Sequence, residues 1–211
     1  MKTFRILCYG DSNTWGHIPG TGERYPKSVR WTGELQNVLS ETCEVIEEGL
    51  SGRTTVWDDP IEGDKNGLAY LRPCLESHKP LDFVILMLGT NDLKNRFSLT
   101  AADVAEGIER SIKTIRQSRC GVEGNSPIIL VAAPPPVVPQ GDCQEIFAGA
   151  REKSLKFSSR FAAVAQRNGC EFVDVGEVVE VDPIDGIHYD AQAHSILGNV
   201  FAERIRAIFA G

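Results

Sequence analysis

The sequence predicts an α/β protein whose parallel sheet carries helices on both faces. Three observations lead there. Short apolar runs alternate with longer helix-like segments along the chain. The third run, Phe83 to Leu88, is continuously apolar, as befits a strand covered on both sides. Each intervening segment keeps its apolar residues on one helical face, so it has one face to bury against a sheet.

In chain order, the first strand is expected over 4–9. Trp31, Leu35, Val38 and Leu39 then share one helical face, and a second strand follows over 44–48. The third strand is expected over 82–88, followed by a helix carrying Val104, Ile108, Ile112 and Ile115. Residues 128–132 form the fourth strand. Phe157, Phe161, Val164 and Ala165 mark the next helix, and 171–175 the fifth strand. Asp190 reads as the N-cap of a last helix bearing Ile196, Leu197, Val200, Ile205 and Ile208. The segment Pro134–Pro139 is stiff and apolar, a shaped wall or contact surface more than a tether.

The chain has 211 residues, enough for one core, and is expected to be one domain over 1–211. Its formal net charge is -7, which argues against nucleic acid or an anionic membrane as the main partner and leaves a small-molecule substrate open. None of the six cysteines forms a C-x-x-C pair, so they are read as reduced thiols in a cytoplasm. The first apolar run is too short for a signal peptide, and none reaches membrane-spanning length.

In parallel sheets ligands bind beyond the carboxyl ends of the strands, so the residues following each strand matter most. They are Gly10-Asp11-Ser12, then Gly49-Leu50-Ser51-Gly52-Arg53, then Gly89-Thr90-Asn91-Asp92, and later Asp185-Gly186-Ile187-His188. Singly, each has a plain structural reading: Ser12 a cap, Gly52 a turn glycine, Asn91 and Asp92 helix caps, His188 a surface or core histidine. Together they match the needs of acyl transfer. Ser12 can supply the nucleophilic hydroxyl, His188 the base, and Asp185, three residues earlier, the acid that holds the imidazole's tautomer. The Ser12 and Gly52 N–H groups and the Asn91 amide can face an oxyanion.

These four blocks resemble the SGNH hydrolases, the GDSL-like esterases and lipases, and their order spans nearly the whole chain. The wider wording Ile-Leu-Cys-Tyr-Gly-Asp-Ser, Arg-Trp-Thr-Gly and Met-Leu-Gly-Thr-Asn-Asp is similar to the bacterial arylesterase/acyltransferase branch. The resemblance implies a three-layer α/β/α sandwich with a five-stranded, flavodoxin-like sheet, no metal or other cofactor, and hydrolysis of small esters. It implies the triad Ser12, Asp185 and His188, with oxyanion donors Ser12, Gly52 and Asn91. The branch implies a homo-oligomer and acyl transfer to alcohols. Asn13 departs from the Leu that the family name suggests, which could alter the packing under Ser12.

Two other classes are weighed. A metal-dependent phosphoesterase could use Asp11, Asp58, Asp59 and Asp92, but the four histidines form no H-x-H or H-E-x-x-H spacing. A nucleotide- or flavin-binding module lacks G-x-G-x-x-G and P-loop motifs after every strand. Trp15 is either core or a wall of the substrate pocket. Arg53 either holds the Gly52 loop or is solvated, and His194 is expected on a helix surface. Aryl, acetyl-sugar and short alkyl esters all fit the sequence. The loops 16–30 and 134–147 are expected to choose among them.

Overall fold

The computed structural model describes residues 3–210. Five strands form one sheet: β1 (Phe4–Gly10), β2 (Cys43–Gly49), β3 (Phe83–Met87), β4 (Ile128–Ala133) and β5 (Glu171–Asp174). The order is β2-β1-β3-β4-β5, every pair parallel. All five expected strands are present, and no end shifts by more than one residue. The helices are α1 (Ser12–Trp15), α2 (Trp31–Leu39), α3 (Gly67–His78), α4 (Ala101–Ser118), α5 (Cys143–Ile146), α6 (Ala150–Ser154), α7 (Phe157–Arg167) and α8 (Ala191–Ala210). None is long and apolar enough to cross a membrane.

Alternate residues of each strand enter opposite cores, which makes three layers. Leu7, Tyr9, Val84, Leu86 and Val131 pack with α3, α4 and α7, through Leu71, Ile108, Phe157 and Phe161 among others. Ile6, Cys8, Phe83, Ile85 and Leu130 pack with α2 and α8, through Trp31, Leu35, Leu197 and Phe201. A fully buried side chain of this size contributes roughly 1.5–3 kcal/mol. α4 begins with a reciprocal cap between Thr100 and Asp103.

Helix α3 has no counterpart in the periodicity reading, because Pro73 lies inside it. Proline removes the bond to the carbonyl four residues back. Here Ala69 and Pro73 are both exposed, so water can serve the freed carbonyl.

His194 corrects an expectation. It is fully buried, and its Nδ1 accepts the Trp31 backbone N–H at 3.2 Å. Arg30 offers α2 no side-chain cap, so a distant ring takes one of the helix's orphan donors. Burial lowers the His194 pKa to about 4, which leaves the ring neutral and able to accept. Asp190 caps α8 as expected, taking the Ala193 N–H at 2.7 Å. Ile196, expected to be apolar support for that helix, points outward.

Candidate active site

The strand order reverses between β1 and β3, and the crevice beyond that switch point is where such sheets bind ligands. Gly10 stands in register with Gly49 on one side and Met87 on the other. The loops bearing Ser12, Gly52 and Asn91 therefore leave one edge side by side, about 4.8 Å from strand to strand. A Cβ on Gly10 would collide with Thr14, so the turn into α1 needs glycine there.

Asp11, not Ser12, caps α1, accepting the Asn13 N–H at 3.0 Å. Ser12 opens the helix and is 5% exposed. Its Oγ lies 3.0 Å from His188 Nε2, and His188 Nδ1 lies 2.8 Å from Asp185 Oδ2. Asp185 also accepts three backbone N–H groups, from Gly20 at 3.0 Å and from Ile187 and His188 at 2.9 Å each. Burial alone would raise its pKa. The His188 ring and the N–H donors outweigh that, and the carboxyl ends far below the usual range. Asn13 Nδ2 donates to the Ile187 carbonyl at 3.2 Å, so the residue that departs from the family wording ties the serine turn to the histidine turn.

His17, which sequence reasoning passed over, packs against His188 with ring centroids 4.0 Å apart and planes tilted by 32°. Burial, then the like charge of His188, lowers its pKa. Its only sequence signal was a place five residues after Ser12. Trp15 is half-buried, 6.3 Å from the His17 ring, with the Arg24 guanidinium 4.9 Å from its own centroid. Ligand atoms of His17, Asp185 and His188 lie within 4.8 Å of one another. His188 Nδ1 and Nε2 are both engaged already, with Asp185 and Ser12.

Gly52 has φ +83°, and a side chain there would strike Glu62. Its neighbour Arg53 is buried: Nη1 donates to the Gly10 carbonyl at 2.9 Å and to the Glu48 carbonyl, and the guanidinium lies 4.1 Å from the Tyr9 ring centroid. This decides the open question about Arg53, which holds the Gly52 loop to the end of β1. Asn91 is 6% exposed, and its Nδ2 is buried with no hydrogen-bond partner among the described residues. Asp92 is fully buried and accepts both the N–H and the hydroxyl of Thr55. Burial raises its pKa to about 7 and that of Asp11 to about 6.

The acids that a metallophosphoesterase would use are taken up one by one. Asp11 is a cap and Asp92 a brace. Asp58 accepts from Asn66, and Asp59 pairs with Arg96 at 2.8 Å. The Pro134–Pro139 segment braces the histidine turn: Val138 N–H donates to the Gly186 carbonyl and Gln140 N–H to the Asp185 carbonyl, both at 2.9 Å. Gly186 has φ +69°, and a Cβ would strike the Val138 carbonyl. A cavity of about 570 Å³ lies beside this contact, lined in part by Pro135, Pro136, Val138, Leu155 and Gly186. The arrangement as a whole can pass a proton from a hydroxyl to an imidazole that an ionised acid holds in place.

The family model described as the GDSL-like lipase/acylhydrolase family matches residues 8–196. Among solved structures, the chain is similar to Est24, a carbohydrate acetylesterase from Sinorhizobium meliloti, at 40% identity and TM-score 0.94, over 98% of this chain and 100% of that one. It is similar to the M. smegmatis aryl esterase at 42% identity and TM-score 0.93, over 97% and 99%. A further carbohydrate acetylesterase family member from Sinorhizobium meliloti aligns at 35% identity and TM-score 0.94, over 99% and 100%. No curated protein matches significantly.

Proposed function

The chain belongs to the GDSL-like lipase/acylhydrolase family, and from that premise we propose that it is a serine esterase acting on small carboxylic esters through an acyl-enzyme on Ser12. The observation that carries this reading is the continuous path from the Ser12 hydroxyl through His188 to Asp185, with separations of 3.0 and 2.8 Å. His188 Nε2 takes the hydroxyl proton as Ser12 Oγ attacks the ester carbonyl. Asp185 keeps the other proton on Nδ1 and stabilises the imidazolium. The N–H groups of Ser12 and Gly52 and the Nδ2 of Asn91 receive the oxyanion, and the unpartnered state of that Nδ2 supports its part. Collapse expels the alcohol, which His188 protonates. A second nucleophile then releases the acyl group by the same steps in reverse.

The substrates are aryl or short-chain acyl esters, acetylated sugars included, as the names of the similar aryl esterase and acetylesterases suggest. Trp15 forms part of the pocket wall. Its half-buried ring follows Ser12 by three residues, which supports that place. A narrow apolar mouth would also let an alcohol compete with water for the acyl-enzyme. We place the protein in the cytoplasm as a homo-oligomer, with neither nucleic acid nor membrane as partner. Six free cysteines, a net charge of -7, and exposed Val138, Leu155 and Ile184 around the histidine turn support this.

The test is a panel of esters varied in acyl length and leaving group, run with Ser12→Ala as control, with and without a primary alcohol. Acetate esters should turn over fastest, and vinyl acetate plus alcohol should yield the new ester beside free acid, read by chromatography. Full turnover by Ser12→Ala would sink the assignment. Free acid alone at every alcohol concentration would make the protein a plain hydrolase.

A further inference from the structure

Behind the loop that carries Gly52, the end of β2 faces α3, and three metal-ligating side chains meet there. Glu48 is the penultimate residue of β2, while Cys74 and His78 are four residues apart in α3 and so share one helix face. A ligand atom from each lies within 4.8 Å of the other two. The Glu48 carboxylate is the focus. His78 Nε2 is 2.8 Å from its Oε1, and the Cys74 thiol lies within 4.8 Å of both groups. Cys74 is 1% exposed, but the Glu48 and His78 side chains are 19% and 27% exposed, so the outer side of the group is reachable. Beside it is a hollow of about 550 Å³, lined among others by Glu48, Arg53, Asp58, Asp64 and Tyr70. Three carboxylates against one guanidinium give that approach a negative balance, which concentrates cations.

We propose that Glu48, Cys74 and His78 form a binding site for a thiophilic divalent cation, Zn²⁺ foremost, with water from the hollow as fourth ligand. A thiolate, an imidazole and a carboxylate suit Zn²⁺, whereas Mg²⁺ and Ca²⁺ prefer oxygen alone. As the Zn–S bond forms, the Cys74 S–H bond breaks and its proton leaves to solvent. His78 binds through a neutral ring nitrogen, and Glu48 exchanges protein donors for the metal. With zinc–ligand distances of about 2.0–2.3 Å, tetrahedral ligand atoms lie about 3.3–3.6 Å apart, so the His78–Glu48 contact opens from 2.8 Å by side-chain rotation on a fixed backbone. Bound metal clamps β2 to α3. The clamp reaches the Gly52 loop, because the Glu48 carbonyl accepts from Arg53. None of its three ligands is among the residues assigned to ester chemistry.

Co²⁺ added to the purified protein is the probe. The site predicts a thiolate-to-cobalt charge-transfer band in the near ultraviolet with tetrahedral d–d bands in the visible, both bleached by Zn²⁺. Cys74→Ser should abolish the charge-transfer band. His78→Gln, at a partly exposed ring, should weaken Zn²⁺ binding by more than about tenfold against a chromophoric chelator. Ser12→Ala should bind metal as the wild type does. Absence of the band in wild type, or its survival in Cys74→Ser, overturns the proposal. Should Cys74→Ser fail to fold, unchanged Zn²⁺ affinity in folded His78→Gln would overturn it equally.

Discussion

Two turns at the same sheet edge, Asp185–His188 and Gly89–Asp92, each bring a buried acid to the site, and the pKa values of the two acids move in opposite directions. Asp185 gathers an imidazole and three backbone N–H groups, and its carboxyl stays ionised far into acid. Asp92 has the N–H and hydroxyl of Thr55 and no ion pair among the described residues, and its pKa rises to about 7. Burial pushes both upward, and the number and charge of the donors decide the outcome. The first acid can balance an imidazolium during turnover. The second ties the loop after β2 to the loop after β3, which sets Gly52 and Asn91 beside each other.

Matched substitutions test that contrast. Asp185→Asn should lower kcat by about 10⁴-fold, the order found when a triad acid loses its charge, while Asp92→Asn should lower it far less. Steady-state kinetics on both variants checks this, and equal losses would erase the distinction. Next in size, Asn91→Ala should lower kcat by about 10²–10³-fold, roughly 2.7–4 kcal/mol, with KM little changed. If the folded fraction keeps full specific activity, Asn91 is a structural cap and not an oxyanion donor.

Stability against pH sharpens the comparison further. The folded pKa of Asp92, about 7, lies above the ordinary carboxyl value of about 3.9, so the folded state holds more protons across that window, and stability falls as pH rises from about 4 to about 7. Asp11, raised to about 6, adds to the same slope. Asp185 acts with the opposite sign: its contribution is present above the unfolded pKa of about 3.9 and is lost as pH falls through the depressed folded value. Denaturant midpoints should show a shallower decline between about pH 4 and 7 in Asp92→Asn. Removing the acceptor altogether, Asp92→Ala, leaves the Thr55 donors buried and should cost about 1–3 kcal/mol. The smallest expected effect is that of a chelator. EDTA should leave kcat/KM for esters nearly unchanged, and phosphoester turnover that is lost on chelation and restored by divalent metal would favour phosphoesterase chemistry.

The candidate residues Ser12, Gly52 and Asn91 were legible because they closely follow apolar runs, and Asp185 and His188, further beyond the fifth strand, because they are close enough in sequence for one turn to join them. The strands were legible for the same reason, as periodicity is local. What escaped notice depends on contacts between distant residues. Thr55 meets Asp92, His17 meets His188, and His194 meets Trp31 only after the sheet has brought their elements together. Arg53 could not be assigned before the carbonyls of Gly10 and Glu48 were in view. Helix α3 was hidden by Pro73, whose cost depends on which side of the helix meets water.

The central claim is that Ser12 carries the acyl group, activated by His188. Intact-mass spectrometry after treatment with a fluorophosphonate probe tests it most directly. One adduct per chain is expected, mapped to Ser12 by peptide analysis, with no adduct on Ser12→Ala and strongly slowed labelling in His188→Ala. An adduct that persists on Ser12→Ala, or one mapped to another hydroxyl, would contradict the account.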